Sequence, residues 1–359
     1  MKFIIFALAL IPCSLAFGQN SCDHLKSLLK EGDLGQAEQY VTQLEGQNSC
    51  DLLVAEFYLR KGRNNKAEEY FERVRITSEE KSLEMASALN GLGLVYWNTG
   101  ITNKATQYLL QALSIRKERL GNEDEMVAAS LNDLGLVLSR DDPDAALDYY
   151  ESALDIYQKI YEPNDQRIAQ SKTNIGAAYQ NIEFYGDAQA NYEEALAIWE
   201  KIYPDGHPNQ GFLLLNLGKT NQTLQNLDAA VQYYEKALAI FEKYYGQKHP
   251  DVARANRFIG DIHNAEGKYD KALAYYQTAL IANAENFNNK DTNTNPSISD
   301  YINSNVLLNC LYSKSEAFQG KFYNQTLKFR DLRLALNALQ ACDSLIDKAR
   351  QLQTSESDK

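Results

Sequence analysis

From Leu25 onward the apolar residues recur three and four positions apart, the spacing of one face of a helix. The pattern is clearest from Leu215 to Ala253. There a short helix ending at Leu217-Gly218 precedes a longer one over Asp228–Tyr245, which carries Ala230, Tyr233, Tyr234, Ala237, Leu238 and Phe241 on one face. The same pair returns along most of the chain. Anchored on the glycine of the first helix it falls at Gly93, Gly135, Gly176, Gly218 and Gly260, with steps of 42, 41, 42 and 42 residues. Anchored on the Ala-Leu pair of the second helix (Ala112-Leu113, Ala153-Leu154, Ala195-Leu196, Ala237-Leu238, Ala279-Leu280) the steps are 41, 42, 42 and 42. Two anchors with one period establish a repeat.

Five long helical pairs are therefore predicted, at 83–119, 125–161, 166–203, 209–245 and 251–287. The second has a turn one residue shorter, at Asp141-Asp142-Pro143, which accounts for the 41-residue step in both series. Two shorter hairpins precede them within 19–76, broken at Glu31-Gly32-Asp33 and Lys61-Gly62-Arg63. A polar, asparagine-rich loop is expected at 288–297, then a helical pair over 298–352 and a frayed polar tail at 353–359. No such hairpin buries its apolar face alone, so each must stack on its neighbours in one elongated body. The glycine and the second-helix alanines mark close backbone approach. Tyr149-Tyr150, Tyr233-Tyr234 and Tyr275-Tyr276 supply large fillers whose hydroxyls must reach a polar edge.

These features resemble the tetratricopeptide repeat, with Gly218 as the small residue of the first helix and Ala230 and Ala237 as the alanines of the second. The loop Gly246–Ala253, echoed by Pro204-Asp205-Gly206-His207-Pro208, is similar to the kinesin-light-chain variety. Pro250 and Pro208 suit a first helical turn, where no N–H is needed. The resemblance spans roughly 50 to 287. It implies an all-α fold, a right-handed superhelical solenoid whose first helices line a concave groove for a protein or peptide ligand. The family's groove positions, three before the glycine and one, four and five after it, map onto Asn90, Leu94, Trp97 and Asn98; onto Asn132, Leu136, Ser139 and Arg140; onto Thr173, Ala177, Gln180 and Asn181; onto Leu215, Lys219, Gln222 and Thr223; and onto Arg257, Asp261, Asn264 and Ala265. Asparagine amides both donate and accept, which suits a peptide backbone whatever its sequence, and Trp97 is a candidate aromatic anchor. The competing reading is that some of these residues bond only to neighbouring helices. The basic members, Arg140, Lys219 and Arg257, are scattered over three units, which argues against a clamp for a terminal carboxylate.

Met1 to Gly18 reads as a cleaved export signal, with Lys2 at the start, an apolar core over Phe3–Phe17 and a small-residue cut before Gln19. About 15 apolar residues interrupted by Pro12 are too few to span a bilayer, so a periplasmic or secreted product is expected. Net charge is −12, or −13 without Lys2, with no basic run, which makes nucleic acid and anionic membrane poor partners. Of five cysteines, Cys22, Cys50, Cys310 and Cys342 remain after processing. The hexapeptide GQNSCD occurs at 18–23 and 46–51, so Cys22 and Cys50 enter successive hairpins at equivalent places and are candidates for a disulfide, with buried thiols as the alternative. The four histidines are dispersed, and His207 and His249 repeat one loop position. No metal or cofactor site, no activated cysteine and no enzyme chemistry is expected.

The end of the chain is not a standard repeat. On Asp331-Leu332, Ala335-Leu336, Leu345-Ile346-Asp347 and Arg350 it resembles the segment that joins tetratricopeptide arrays to a caspase-like domain in bacterial CHAT-type proteins. The sequence therefore predicts a non-catalytic exported scaffold. The alternative is the recognition arm of a peptidase system whose catalytic domain or subunit lies outside this chain, a reading that an exposed apolar face at Leu332, Leu336, Leu339 and Ile346 would favour.

Overall fold

The computed structural model describes residues 22–30, 33–44 and 50–357; the export segment at 1–18 and the break at Glu31-Gly32 lie outside them. Among the described residues the regular structure is all helix, and from the helix at Leu34–Leu44 onward each helix pairs with the next within its unit. Contacts divide the chain into two compact units, one ending at Glu162 and the other beginning at Pro163. The first holds α1 (22–30), α2 (Leu34–Leu44), α3 (Asp51–Arg60), α4 (Asn64–Thr77), α5 (Leu83–Asn98), α6 (Thr102–Leu120), α7 (Glu125–Leu138) and α8 (Pro143–Ile160). The second holds α9 (Gln166–Asn181), α10 (Tyr185–Ile202), α11 (Pro208–Thr223), α12 (Leu227–Tyr245), α13 (Pro250–Ala265), α14 (Tyr269–Ala282), α15 (Ser304–Lys321), a π turn over Phe322–Thr326 and α16 (Phe329–Ser357). A disulfide joins Cys22 to Cys50 and so ties α1 to the start of α3, whereas Cys310 and Cys342 are buried free thiols.

Four of the five long hairpins close by the same contact. Residues one stripe apart on the second helix, such as Ala188 and Ala195 or Ala230 and Ala237, are fully buried, and between them a tyrosine places its ring against the glycine of the first helix. A Cβ added at Gly135, Gly176, Gly218 or Gly260 would come within 2.6, 2.7, 2.3 and 2.6 Å of the ring of Tyr150, Tyr192, Tyr234 and Tyr276. In the first long hairpin Leu109 takes the place of the tyrosine against Gly93. The nearest atoms are those of the ring or leucine side chain, and the second-helix backbone also comes close, with the Ala188 carbonyl 3.1 Å from the Cβ position at Gly176 and the Ala105 carbonyl 3.2 Å from that at Gly93.

The turn inside the hairpin has its own rule. Gly100, Glu183, Gln225 and Gly267, each seven residues beyond the glycine, have φ of +79°, +66°, +63° and +72°. One left-handed residue ends the first helix and swings the chain into the second. In the shortened repeat the equivalent residue is Asp142, at φ −148°, and its carboxylate caps α8 by accepting the Ala145 N–H at 3.1 Å ahead of Pro143. The deletion removes the left-handed residue, and a cap followed by a proline redirects the chain instead.

Between hairpins, α11 and α13 begin at Pro208 and Pro250, each preceded by a histidine. His207 Nδ1 accepts the Asn209 N–H and His249 Nδ1 the Asp251 N–H, both at 3.2 Å, so the two histidines are helix caps. Each ring also stacks on a tyrosine, Tyr203 at 4.5 Å and Tyr245 at 4.0 Å between centroids. Burial lowers both imidazole pKa values, which keeps the accepting Nδ1 free of a proton.

Three boundaries differ from expectation. The last long pair stops at Ala282 instead of 287, because the Asn283 side chain leaves the helix to pair with the backbone of Asn303, donating to its carbonyl at 2.8 Å and accepting its N–H at 3.1 Å. The polar loop consequently runs over 283–303, longer than 288–297, and α15 starts at Ser304 instead of 298. This loop is anchored from beneath. Lys314, 1 % exposed on α15, donates to Gln277 Oε1 (2.7 Å), the Thr294 carbonyl (2.7 Å) and Asn295 Oδ1 (2.9 Å), and burial pushes its pKa down to about 7. Finally α16 continues to Ser357, past the expected start of a frayed tail at 353, since no glycine or proline after Phe329 interrupts it.

Candidate functional site

In the first unit the first helices lie side by side, α3 beside α5 and α5 beside α7. Two clefts open along them. One, of about 440 Å³, has apolar walls from Leu52, Leu59, Phe71 and Leu94, with Ser87, Asn90 and Arg116 adding polar atoms. The other, of about 760 Å³, is lined by Trp97, Asn98, Thr102, Ser139, Arg140 and Asp141. The structure thus brings Asn90 and Leu94 to one cleft and Trp97, Asn98 and Arg140 to the other. Trp97 is 37 % exposed, and Arg140 is exposed with no ion pair to a described residue. Asn98 reaches Asn64 Oδ1 at 3.3 Å.

Asn90 is not a free amide. It is 8 % exposed, donates to Asp133 Oδ2 at 2.6 Å, and its Oδ1 accepts from Arg116 at 3.2 Å and from Ser130 Oγ at 3.3 Å. Arg116 also donates to Ser130 Oγ (2.6 Å) and to the Met126 carbonyl (3.1 Å). A buried guanidinium must find acceptors, and Asn90 supplies one while its NH₂ serves Asp133. Burial raises the Asp133 carboxyl pKa, against the Asn90 hydrogen bond and the Arg116 charge. Asn90 therefore ties α5, α6 and α7 together at the back of its cleft. Sequence reasoning passed over Arg116 and Asp133 because neither occupies a groove position. Asn132 is half-buried on α7, outside the residues that line the two clefts.

In the second unit the corresponding residues are not gathered in one cavity. Gln180 Oε1 accepts the Tyr192 hydroxyl at 3.0 Å, and Gln222 Oε1 accepts that of Tyr234 at 3.1 Å. Those side chains complete the buried tyrosines. Arg257 pairs with Asp261 at 2.7 Å and lies over the Phe258 ring at 4.4 Å, while the other oxygen of Asp261 takes the Tyr276 hydroxyl at 2.8 Å. Asn181 and Lys219 are exposed, and Asn264 is half-buried. Two clefts of this unit lie elsewhere: about 430 Å³ beneath the asparagine-rich loop, by Gln277, Thr278, Lys290 and Thr292, and about 460 Å³ along α15 and α16. Among the described residues no group of three or more His, Cys, Asp or Glu side chains could hold a metal ion, and no helix is long and apolar enough to cross a membrane.

The model of the tetratricopeptide repeat matches residues 49–117, 84–159, 167–243 and 213–281. This chain belongs to the tetratricopeptide repeat family. No curated protein sequence matches it. Among solved tetratricopeptide repeat structures it is similar to a signal transduction ATPase with numerous domains (STAND) carrying a tetratricopeptide repeat sensor, from Pyrococcus horikoshii, at 16 % identity and a TM-score of 0.63 over 88 % of this chain and 45 % of that one. A Rap protein complexed with Competence and Sporulation Factor matches at 16 % identity and 0.60, over 96 % of this chain and 98 % of that one. A putative kinesin light chain of Podosopora anserina with nearly identical repeats matches at 19 % and 0.50, over 57 % and 96 %. At these identities the likeness establishes the tetratricopeptide repeat fold.

Proposed function

We propose that the protein is a non-catalytic scaffold that holds an extended peptide segment of a partner against α3, α5 and α7. The observation that carries this reading is the pair of neighbouring clefts on these helices. One is a socket walled by Leu52, Leu59, Phe71 and Leu94, and the other pairs the exposed indole of Trp97 with the charge of Arg140, which has no ion pair among the described residues. An apolar side chain fits the first, and the second offers an aromatic face and a cation to the next residues of an extended chain. The similar Rap structure holds a factor, and the STAND protein is described as carrying a sensor; both accord with recognition as the task. Export, to a periplasm or as a secreted product, belongs to the proposal through Met1–Gly18.

Trp97 supplies the test. Trp199 is buried at 2 % exposure, so a Trp199→Phe chain reports on Trp97 alone. Peptides of about ten residues, selected by display on the intact protein, should shift its emission. Leu94→Arg and Trp97→Ala should each weaken their binding by about tenfold or more, roughly 1.4 kcal/mol. Peptides that bind both variants as tightly as the parent would locate recognition elsewhere.

A second reading, the recognition arm of a CHAT-type caspase-like peptidase with the catalytic part outside this chain, is favoured by α16. Leu336 is half exposed there, and Leu332, Leu339 and Ile346 are only partly covered. An immunoblot of source cells separates the two readings, because a product far larger than 40.6 kDa supports the arm.

A further inference from the structure

The inner face of α16 is well packed, with Asp331, Ala335, Ala338, Cys342 and Leu345 buried beside α14 and α15. A second stripe runs beside it: Phe329, Leu332, Leu336, Leu339, Asp343, Ile346, at alternating steps of three, four, three, four and three. That is the heptad seam of a helix that packs on another helix at a shallow angle. In this chain it is open. Phe329 is 80 % and Leu336 53 % exposed, and a cleft of about 460 Å³ lies along Leu332, Leu336 and Leu339.

The charges on the seam indicate what covers it. Arg333 flanks it near the start and Asp343 sits in it ten residues later. Among the described residues neither has an ion-pair partner, whereas Arg350 has Asp347 at 3.6 Å and Lys348 lies over the Tyr301 ring. In a parallel pairing of two copies Asp343 would face Asp343. In an antiparallel pairing with its two-fold axis midway between Asn337 and Ala338, Leu336 of each copy meets Leu339 of the other, Phe329 meets Ile346, and Leu332 meets Asp343. Arg333, next to Leu332 at the edge of the seam, then lies beside Asp343 of the other copy. The unmatched cation and the unmatched carboxylate satisfy each other twice. A uniformly acidic partner or an anionic lipid surface would match only the Arg333 end and leave Asp343 opposed.

We propose that the protein forms a two-fold dimer in which α16 packs antiparallel on α16 of a second copy along this seam. The surface is remote in sequence from the α3–α7 clefts, so the proposal is independent of the peptide-binding reading.

Sedimentation equilibrium of the mature full-length chain from about 0.1 to 100 μM tests it. The expected result is a mass twice that of the monomer within this range. Leu336→Glu is expected to weaken dimerisation about 100-fold with unchanged helical circular dichroism, since the residue is half exposed. Arg333→Glu and Asp343→Arg, singly, are each expected to weaken it about tenfold, and the two together to restore it. A wild-type monomer at 100 μM overturns the proposal, including one that gains mass only when a different protein is added. So does a dimer that Leu336→Glu leaves intact, or one whose single charge reversals are not rescued in combination.

Discussion

One hydrogen atom sets the depth of each long hairpin. At Gly218 the Tyr234 ring occupies the volume a methyl group would need, 2.3 Å from the Cβ position, and the ring is itself fully buried with its hydroxyl tied to Gln222. Overpacking of this kind costs about 1–3 kcal/mol, more than the gain of about 1 kcal/mol from alanine's helix propensity. Gly218→Ala should therefore lower stability in urea melts by roughly 1–2 kcal/mol. Gly186→Ala, in the first turn of α10 with nothing within 4 Å, should raise it by about 0.5–1 kcal/mol. Opposite signs for the same chemical change isolate the ring contact. The need for a small residue at Gly218 was legible in its recurrence, but the role of Gln222 was not. Periodicity places Gln180 and Gln222 on the first-helix face, yet a long amide on the shoulder of that face can turn back to a buried tyrosine as easily as outward. Asn90 differs for a related reason. Its partners Arg116 and Asp133 lie on other helices, and a burial-driven network among distant positions leaves no periodic trace. Lys314 is the extreme case, a charged residue within a helical pattern whose three acceptors come from α14 and a loop of no recognisable motif.

For the helices, the beginnings are better specified than the ends. The prolines at Pro208 and Pro250 mark two starts in the sequence, but histidine is not among the preferred capping residues, and the caps at His207 and His249 emerge only from the Nδ1 geometry. The caps require neutral imidazole. Because burial lowers both pKa values, the unfolded chain takes up protons first as pH falls. The contribution is thus complete above the unfolded value of about 6.5 and is lost as pH drops from there through the lower folded values. A His207→Asn, His249→Asn variant keeps an accepting cap that does not titrate. Between pH 7 and pH 5 the wild type should lose about 1 kcal/mol per cap relative to this variant in chemical denaturation, and equal losses would remove the histidines from the account. The end of α14 shows the opposite limit, because the Asn283–Asn303 pairing that stops it depends on a residue twenty positions away.

Across the whole chain, the repeat was legible because two anchors shared one period. The division between Glu162 and Pro163 was not, because the helical pattern continues through it unchanged. Export and the thiol state can be read together on one sample. Intact-mass analysis of the native product should show a chain beginning at Gln19, and alkylation in denaturant without reductant should modify two cysteines, Cys310 and Cys342, with Cys22 and Cys50 protected. A retained Met1 would refute processing, and four modified thiols would refute the disulfide. In the native state burial raises both free thiols, Cys310 to about 12 and Cys342 to about 11, so neither should react before unfolding.

The turn after each glycine has a bearing on how such a chain can be rebuilt. Variation in length is absorbed at one hinge residue: where Asp142 replaces the left-handed position, the flanking helices keep their tyrosine–glycine register. A 42-residue window that starts anywhere from 193 to 218 is therefore a frame-neutral cassette, carrying Gly218, Gln225 and Tyr234 and so one complete turn and one complete lock. A window cut across Asp141 carries a different hinge, and with it a different frame for everything spliced downstream.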